Sequence, residues 1–85
     1  MTRDEVRGQV FLALREVAPE VDPTRIEGDV PFREQLDLDS VDWLRFLVDL
    51  DRRLSVSILE ADYGRLETLD DLLGYLLGAL EGRPA

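Results

Sequence analysis

The stretch Asp39-Ser40-Val41-Asp42 holds the only constellation in this chain with an evident chemical use. Its loop side ends Gln35-Leu36-Asp37-Leu38, and its other side runs Trp43-Leu44-Arg45-Phe46-Leu47-Val48-Asp49-Leu50, an amphipathic helical pattern. Asp39 or Ser40 can serve as N-cap, because either side chain accepts a hydrogen bond from a free amide of the first turn. In both cases the serine oxygen stands at the exposed tip of a helix, where a large group can be attached without disturbing packing.

Catalysis by that serine is a poor fit. The chain has no histidine, no cysteine and no lysine, since all ten of its basic residues are arginine. The commonest general base and the strongest nucleophile are therefore missing. The glycines are scattered rather than gathered in a phosphate-cradling loop. A calcium loop also fails: counted from Asp37, position five is Val41, six is Asp42 and twelve is Val48, where oxygen, glycine and glutamate are required. Only weak, adventitious divalent binding by Asp37, Asp39 and Asp42 is left. No metal site is expected, and the chain is not expected to be an enzyme.

Leu36-Asp37-Leu38-Asp39-Ser40-Val41-Asp42 resembles the Leu-Gly-x-Asp-Ser-Leu-x signature of acyl carrier proteins, whose serine carries 4′-phosphopantetheine. The resemblance extends over nearly the whole chain, in the order and lengths of its helices. It departs at Asp37, where the family usually has glycine, and at Val41, where it usually has leucine. The resemblance implies that a phosphopantetheinyl transferase modifies Ser40 from coenzyme A, that Asp39 belongs to the essential Asp-Ser pair, and that the imported thiol carries acyl groups as thioesters. It also implies a partner-facing surface at Asp37, Asp39, Val41, Asp42 and Val48, continued by Glu60, Ala61 and Asp62. Trp43, beside the serine, is either a binding residue or packing against the long loop. The implied partners are acyl ligases, synthases or acyltransferases with basic docking surfaces, in fatty-acid, lipid or polyketide-type biosynthesis. Arg45 replaces the acidic residue usual at its position, which points away from a general fatty-acid synthase and toward a dedicated ligase or small biosynthetic cluster. A peptidyl carrier, and a carrier-shaped subunit that is never modified, are the alternatives.

The elements that must position this serine are helices. Thr2-Arg3-Asp4-Glu5 matches a capping box, and Val6, Val10, Ala13, Leu14 and Val17 follow at helical spacing, predicting a helix from about Arg3 to Ala18. Pro19 stops it. From Pro19 to Leu38 no period persists, but Val21, Ile26, Val30, Phe32, Leu36 and Leu38 should pin this long loop to the core. The helix from Ser40 to about Arg53 is expected to turn Leu44, Phe46, Leu47, Leu50 and Leu54 inward, leaving Val41, Trp43 and Val48 partly outside. Ser55-Val56-Ser57-Ile58 reads as an extended connector with Val56 and Ile58 inward. Glu60-Ala61-Asp62-Tyr63 can form one helical turn, stopped by a left-handed Gly64. Thr68 caps a last helix that buries Leu69, Leu72, Leu73, Leu76, Leu77 and Leu80 and ends near Leu80 or Glu81, before Gly82 and Pro84. The expected fold is all-α: a small four-helix bundle, three longer helices and one short, with a long loop between helices 1 and 2.

Eighty-five residues with 45% hydrophobic side chains suffice for a single domain and one core. The absence of cysteine removes any disulfide framework, no apolar run approaches a membrane span, and the charged N-terminus lacks a signal-peptide pattern. A cytoplasmic monomer is the expectation. A net charge of −9, from 19 acidic and 10 basic residues, argues against nucleic acid as a partner and favours basic protein surfaces.

Overall fold

The computed structural model describes residues 1–81. Three long helices, α1 (Arg3–Val17), α3 (Ser40–Leu54) and α4 (Leu69–Glu81), form the bundle; α2 (Phe32–Gln35) is a single turn, and 3-10 segments cover Pro23–Arg25 and Glu60–Arg65. Among the described residues there is no strand. Helix α1 packs against both α3 and α4.

Each start is fixed locally. Thr2 Oγ1 accepts from the Glu5 amide at 3.2 Å while Glu5 Oε1 accepts from the Thr2 amide at 2.9 Å, the expected capping box in full. At α4, Thr68 Oγ1 accepts from the Asp71 amide at 3.0 Å. Helix α1 ends at Val17, with Ala18 as cap. The Gly82 and Pro84 expected to end α4 lie outside the described residues.

The long loop is more ordered than its sequence suggests. Gln35 staples it: Nε2 donates to the Glu27 and Val30 carbonyls at 2.9 and 2.7 Å, and Oε1 accepts from the Glu27 amide at 2.8 Å. The Phe32 amide donates to the Glu67 carbonyl at 2.8 Å, which ties α2 to the chain just before α4. Phe32 is fully buried, and its ring centroid lies 5.6 Å from Trp43 and 5.8 Å from Phe46, which are themselves 5.3 Å apart. Such tilted and edge-on pairs add roughly 0.5–1.5 kcal/mol each beyond burial. Val6, Val10, Leu14, Leu47, Leu50, Leu72 and Leu76 complete a core that, among the described residues, holds no buried polar side chain.

Three expectations are corrected. Leu44 does not face the core but is 48% exposed. A helix turns about 100° per residue, so Leu44 and Phe46 point to opposite sides and cannot both be buried; the aromatic cluster with Phe32 takes the inward face. Gly64 is not a left-handed stop, because no described glycine has positive φ and the 3-10 segment runs through it to Arg65. The left-handed cap lies at Ser55 instead (φ 52°, ψ 43°), at the end of α3. The connector behind it is held by Asp51 Oδ2, which accepts from the Ile58 amide at 2.9 Å, and Val56 and Ile58 are buried as expected. Leu77 and Leu80, expected in the core, are only half-buried at its edge.

Candidate functional site

Asp39, not Ser40, is the N-cap of α3: its Oδ1 accepts from the Asp42 amide at 2.7 Å, and its carbonyl accepts from the Trp43 amide at 3.0 Å. Ser40 is thereby the first helical residue, exposed, and its hydroxyl makes no hydrogen bond to any described residue. One turn further on, Trp43 and Phe46 anchor the helix into the aromatic cluster, so the backbone under the serine is fixed while its oxygen stays outside. The approach from the loop is equally tight. The Leu38 amide donates to the Leu36 carbonyl at 3.0 Å, a three-residue turn centred on Asp37 that buries Leu38. Asp37 does not adopt the left-handed conformation, since Ser55 is the one described non-glycine residue with positive φ, so a non-glycine residue sits there without strain.

The other residues singled out from the sequence fall into three groups. Asp37, Asp39 and Val41 (64% exposed) reach solvent around Ser40, with Asp42 half-buried among them, and Val48 (56% exposed) is exposed two turns further along α3. Glu60 and Ala61 are exposed on the 3-10 segment. Asp62 is different. Its side chain is only 14% exposed; one oxygen pairs with Arg65 and the other accepts from Tyr75 Oη at 2.9 Å. Tyr75 Oη in turn accepts from the Leu59 amide at 3.3 Å. Burial pushes the Tyr75 hydroxyl above its ordinary value, and the Asp62 carboxylate adds to that, while the Leu59 amide opposes it. Asp62 therefore fastens the 3-10 segment to α4 more than it offers charge. Trp43 is half-buried and, with Pro31, Arg33, Tyr63 and Leu66, lines a cleft of about 420 Å³. Sequence reasoning did not place Leu44 and Leu59 on the surface, where they are 48% and 58% exposed. For Leu44 the signal was present, as Val41, Leu44 and Val48 recur on one side of the helix.

A free hydroxyl on a rigid tip, with no base bonded to it, can accept a group delivered by another enzyme but cannot activate itself. Residues 12–76, which include Ser40, match the family described as the phosphopantetheine attachment site. The chain belongs to that family. Its role is to carry, not to catalyse, and its prosthetic group is 4′-phosphopantetheine. The chain is 26% identical over 78 residues to the acyl carrier protein of Chloroherpeton thalassium, covering 91% of this chain and 95% of that one. A solution structure from Anaplasma phagocytophilum, described as that of an acyl carrier protein, superposes with a TM-score of 0.79 at 26% identity, over 100% of this chain and 97% of that one. A 3-oxo-butyl carrier from the actinorhodin polyketide synthase of Streptomyces coelicolor superposes with a TM-score of 0.64 at 32% identity, over 99% and 95%. The exposed, unbonded Ser40 fits a covalently attached arm. When bound, that arm supplies the thiol that the protein itself lacks. Among the described residues no helix is long and apolar enough to cross a membrane.

Proposed function

We propose that Ser40 is the attachment point of 4′-phosphopantetheine and that the chain, one carrier domain acting as a cytoplasmic monomer, delivers acyl groups held as thioesters. The observation that carries this reading is the exposed, unpartnered Ser40 hydroxyl at the first residue of α3, inside the matched region. The chain's own residues do three things. Asp39 holds the turn on which the serine rides. The amides of the first turn of α3 favour a phosphodiester by roughly 0.3–1 kcal/mol. Asp37, Asp39 and Asp42 oppose it by repulsion of similar size, so they serve basic surfaces on partner enzymes, giving fast and salt-sensitive docking. The base that deprotonates Ser40 must come from the transferase. The interruption of acidity at Arg45, together with the polyketide-synthase carrier among its structural relatives, supports a dedicated set of partners over a general fatty-acid synthase.

The test is intact-mass analysis after incubation with a broad-specificity phosphopantetheinyl transferase and coenzyme A. The wild type gains the mass of the arm and Ser40→Ala does not. An unshifted wild type, or a shift that survives in Ser40→Ala, removes the proposal.

A further inference from the structure

The outer side of α3 changes sign along its length. Near Ser40 lie Asp37 and Asp39, just before the helix, and Asp42 in its first turn, none of which forms an ion pair with a described residue. One to three turns on, it carries Arg45, Arg52 and Arg53. Asp49 binds two of these, accepting from Arg52 Nη2 at 3.0 Å and Arg53 Nε at 2.6 Å, and Glu16 of α1 meets Arg53 at 3.4 Å. Asp49 and Glu16 thus engage Arg52 and Arg53, whereas Arg45 is exposed with no ion-pair partner among the described residues. Where these groups meet α1, Arg45, Arg52 and Arg53 outnumber Asp49 and Glu16, a small positive patch in a chain of net charge −9; Asp51, which accepts from the Ile58 amide, lies outside it.

It also borders an apolar opening. Leu44 and Val48, with Val17 of α1, line a cleft of about 540 Å³ between the two helices, rimmed by Arg45, by Arg52 and Arg53, and by the Asp49 and Glu16 carboxylates that pair with the last two. Val41 continues that stripe toward the serine. The cleft takes an apolar side chain at its floor and carboxylates at its rim.

We infer that this cleft is the seat of an acidic amphipathic helix on a partner enzyme, whose apolar residues enter between Leu44 and Val48 while its carboxylates meet Arg45 and Arg52. The inference rests on the carrier reading above and deepens it. Such a partner presents basic groups opposite Asp37, Asp39 and Asp42 and acidic groups farther from the serine. Reversing its direction along α3 would set like charges face to face, so the two signs fix orientation as well as attraction. A uniformly negative α3 gives attraction without that directional choice.

The test titrates the isotope-labelled full chain with two short synthetic helical peptides sharing one leucine face, the first flanked by glutamates and the second by lysines. The glutamate peptide should bind about ten-fold tighter or more, and amide shifts should centre on Leu44, Arg45 and Val48. Arg45→Glu combined with Arg52→Glu should reverse the preference, and Arg45→Ala, which leaves the Arg52–Asp49 pair intact, should weaken it. Equal binding, preference for the lysine peptide, no binding, a footprint elsewhere, or self-association of the chain through this cleft would overturn the inference. Loading of Ser40 is measured on the same samples. Loss of peptide selectivity with normal loading sinks only the cleft, whereas failure to load sinks the carrier reading and leaves the cleft result standing.

Discussion

Replacing Asp39 separates two jobs that one carboxylate does beside the serine. As N-cap it accepts the Asp42 amide at 2.7 Å; as a charge it faces solvent next to Ser40. Asparagine keeps the acceptor and loses the charge, whereas alanine loses both. Removing a capping acceptor costs about 0.5–2 kcal/mol, typically near 1. At roughly 4–8 °C per kcal/mol for a domain of this size, Asp39→Ala should melt some 4–8 °C below wild type. Asp39→Asn should stay within about 3 °C, because the lost attraction to the helix N-terminus, roughly 0.3–1 kcal/mol, is offset by relief of repulsion from Asp37 and Asp42. Thermal unfolding followed by circular dichroism measures this. The initial rate of phosphopantetheine loading at low salt should group the two variants the other way, both slower than wild type, with the difference shrinking as salt rises. Equal destabilisation of the two variants would refute the capping account. Loading that tracks melting temperature rather than charge would refute the docking account.

Four other outcomes follow from particular contacts. A Cβ at Gly28 would stand 2.6 Å from Asp70 Oδ1, so Gly28→Ala should swing that exposed carboxylate off Arg3 at a cost within about 1 kcal/mol, and add nothing in an Asp70→Ala background. The Tyr75 hydroxyl is held above its ordinary value by burial, so the stability it contributes is intact below about pH 10 and lost as pH rises through the raised value; Tyr75→Phe should lack that alkaline loss, with ultraviolet titration in a Tyr63→Phe background as the check. Arg53, with Arg52 and against the effect of burial, keeps the Asp49 carboxyl below its usual range, so its contribution is complete above about pH 4 and disappears as pH falls through the depressed value; Asp49→Asn should flatten the acid limb of a melting-temperature profile. Because net repulsion outweighs a few exposed ion pairs in a chain of charge −9, moderate salt should raise the wild-type melting temperature, and a falling dependence would contradict that balance.

What could be read from the sequence was whatever neighbouring residues decide among themselves. The Thr2–Glu5 capping box, the stop before Pro19, the Thr68 cap and the inward turn of Val56 and Ile58 all depend on residues a few positions apart. The candidate serine was legible for the same reason, since its motif is contiguous. Distant partners decided the rest. Leu44 and Phe46 compete for one face, and Phe32, fourteen positions upstream of Phe46, settles the contest by completing an aromatic trio. The order of the long loop depends on Gln35 reaching back to Glu27 and Val30, a polar residue in a stretch with no period. The left-handed cap at Ser55 goes with a bond seven positions long, from the Ile58 amide back to the Asp51 carboxylate, which no local pattern announces. Asp62 looked like available surface charge until Tyr75, thirteen positions on, claimed one of its oxygens.

The arrangement around Ser40 follows from a division between what is fixed and what is offered. A carrier must present its serine in one place to a series of different enzymes, which requires a stiff mount, yet the mount must lend no base and no hydrogen bond to the oxygen. Trp43 and Phe46 meet the first requirement by sinking the first turns of α3 into the aromatic cluster with Phe32. Asp39 meets the second by capping the helix itself, which frees the serine from the role its position would otherwise give it. If Ser40 capped the helix in place of Asp39, its oxygen would already be engaged by an amide, and a transferase acting there would have to break that bond before making its own.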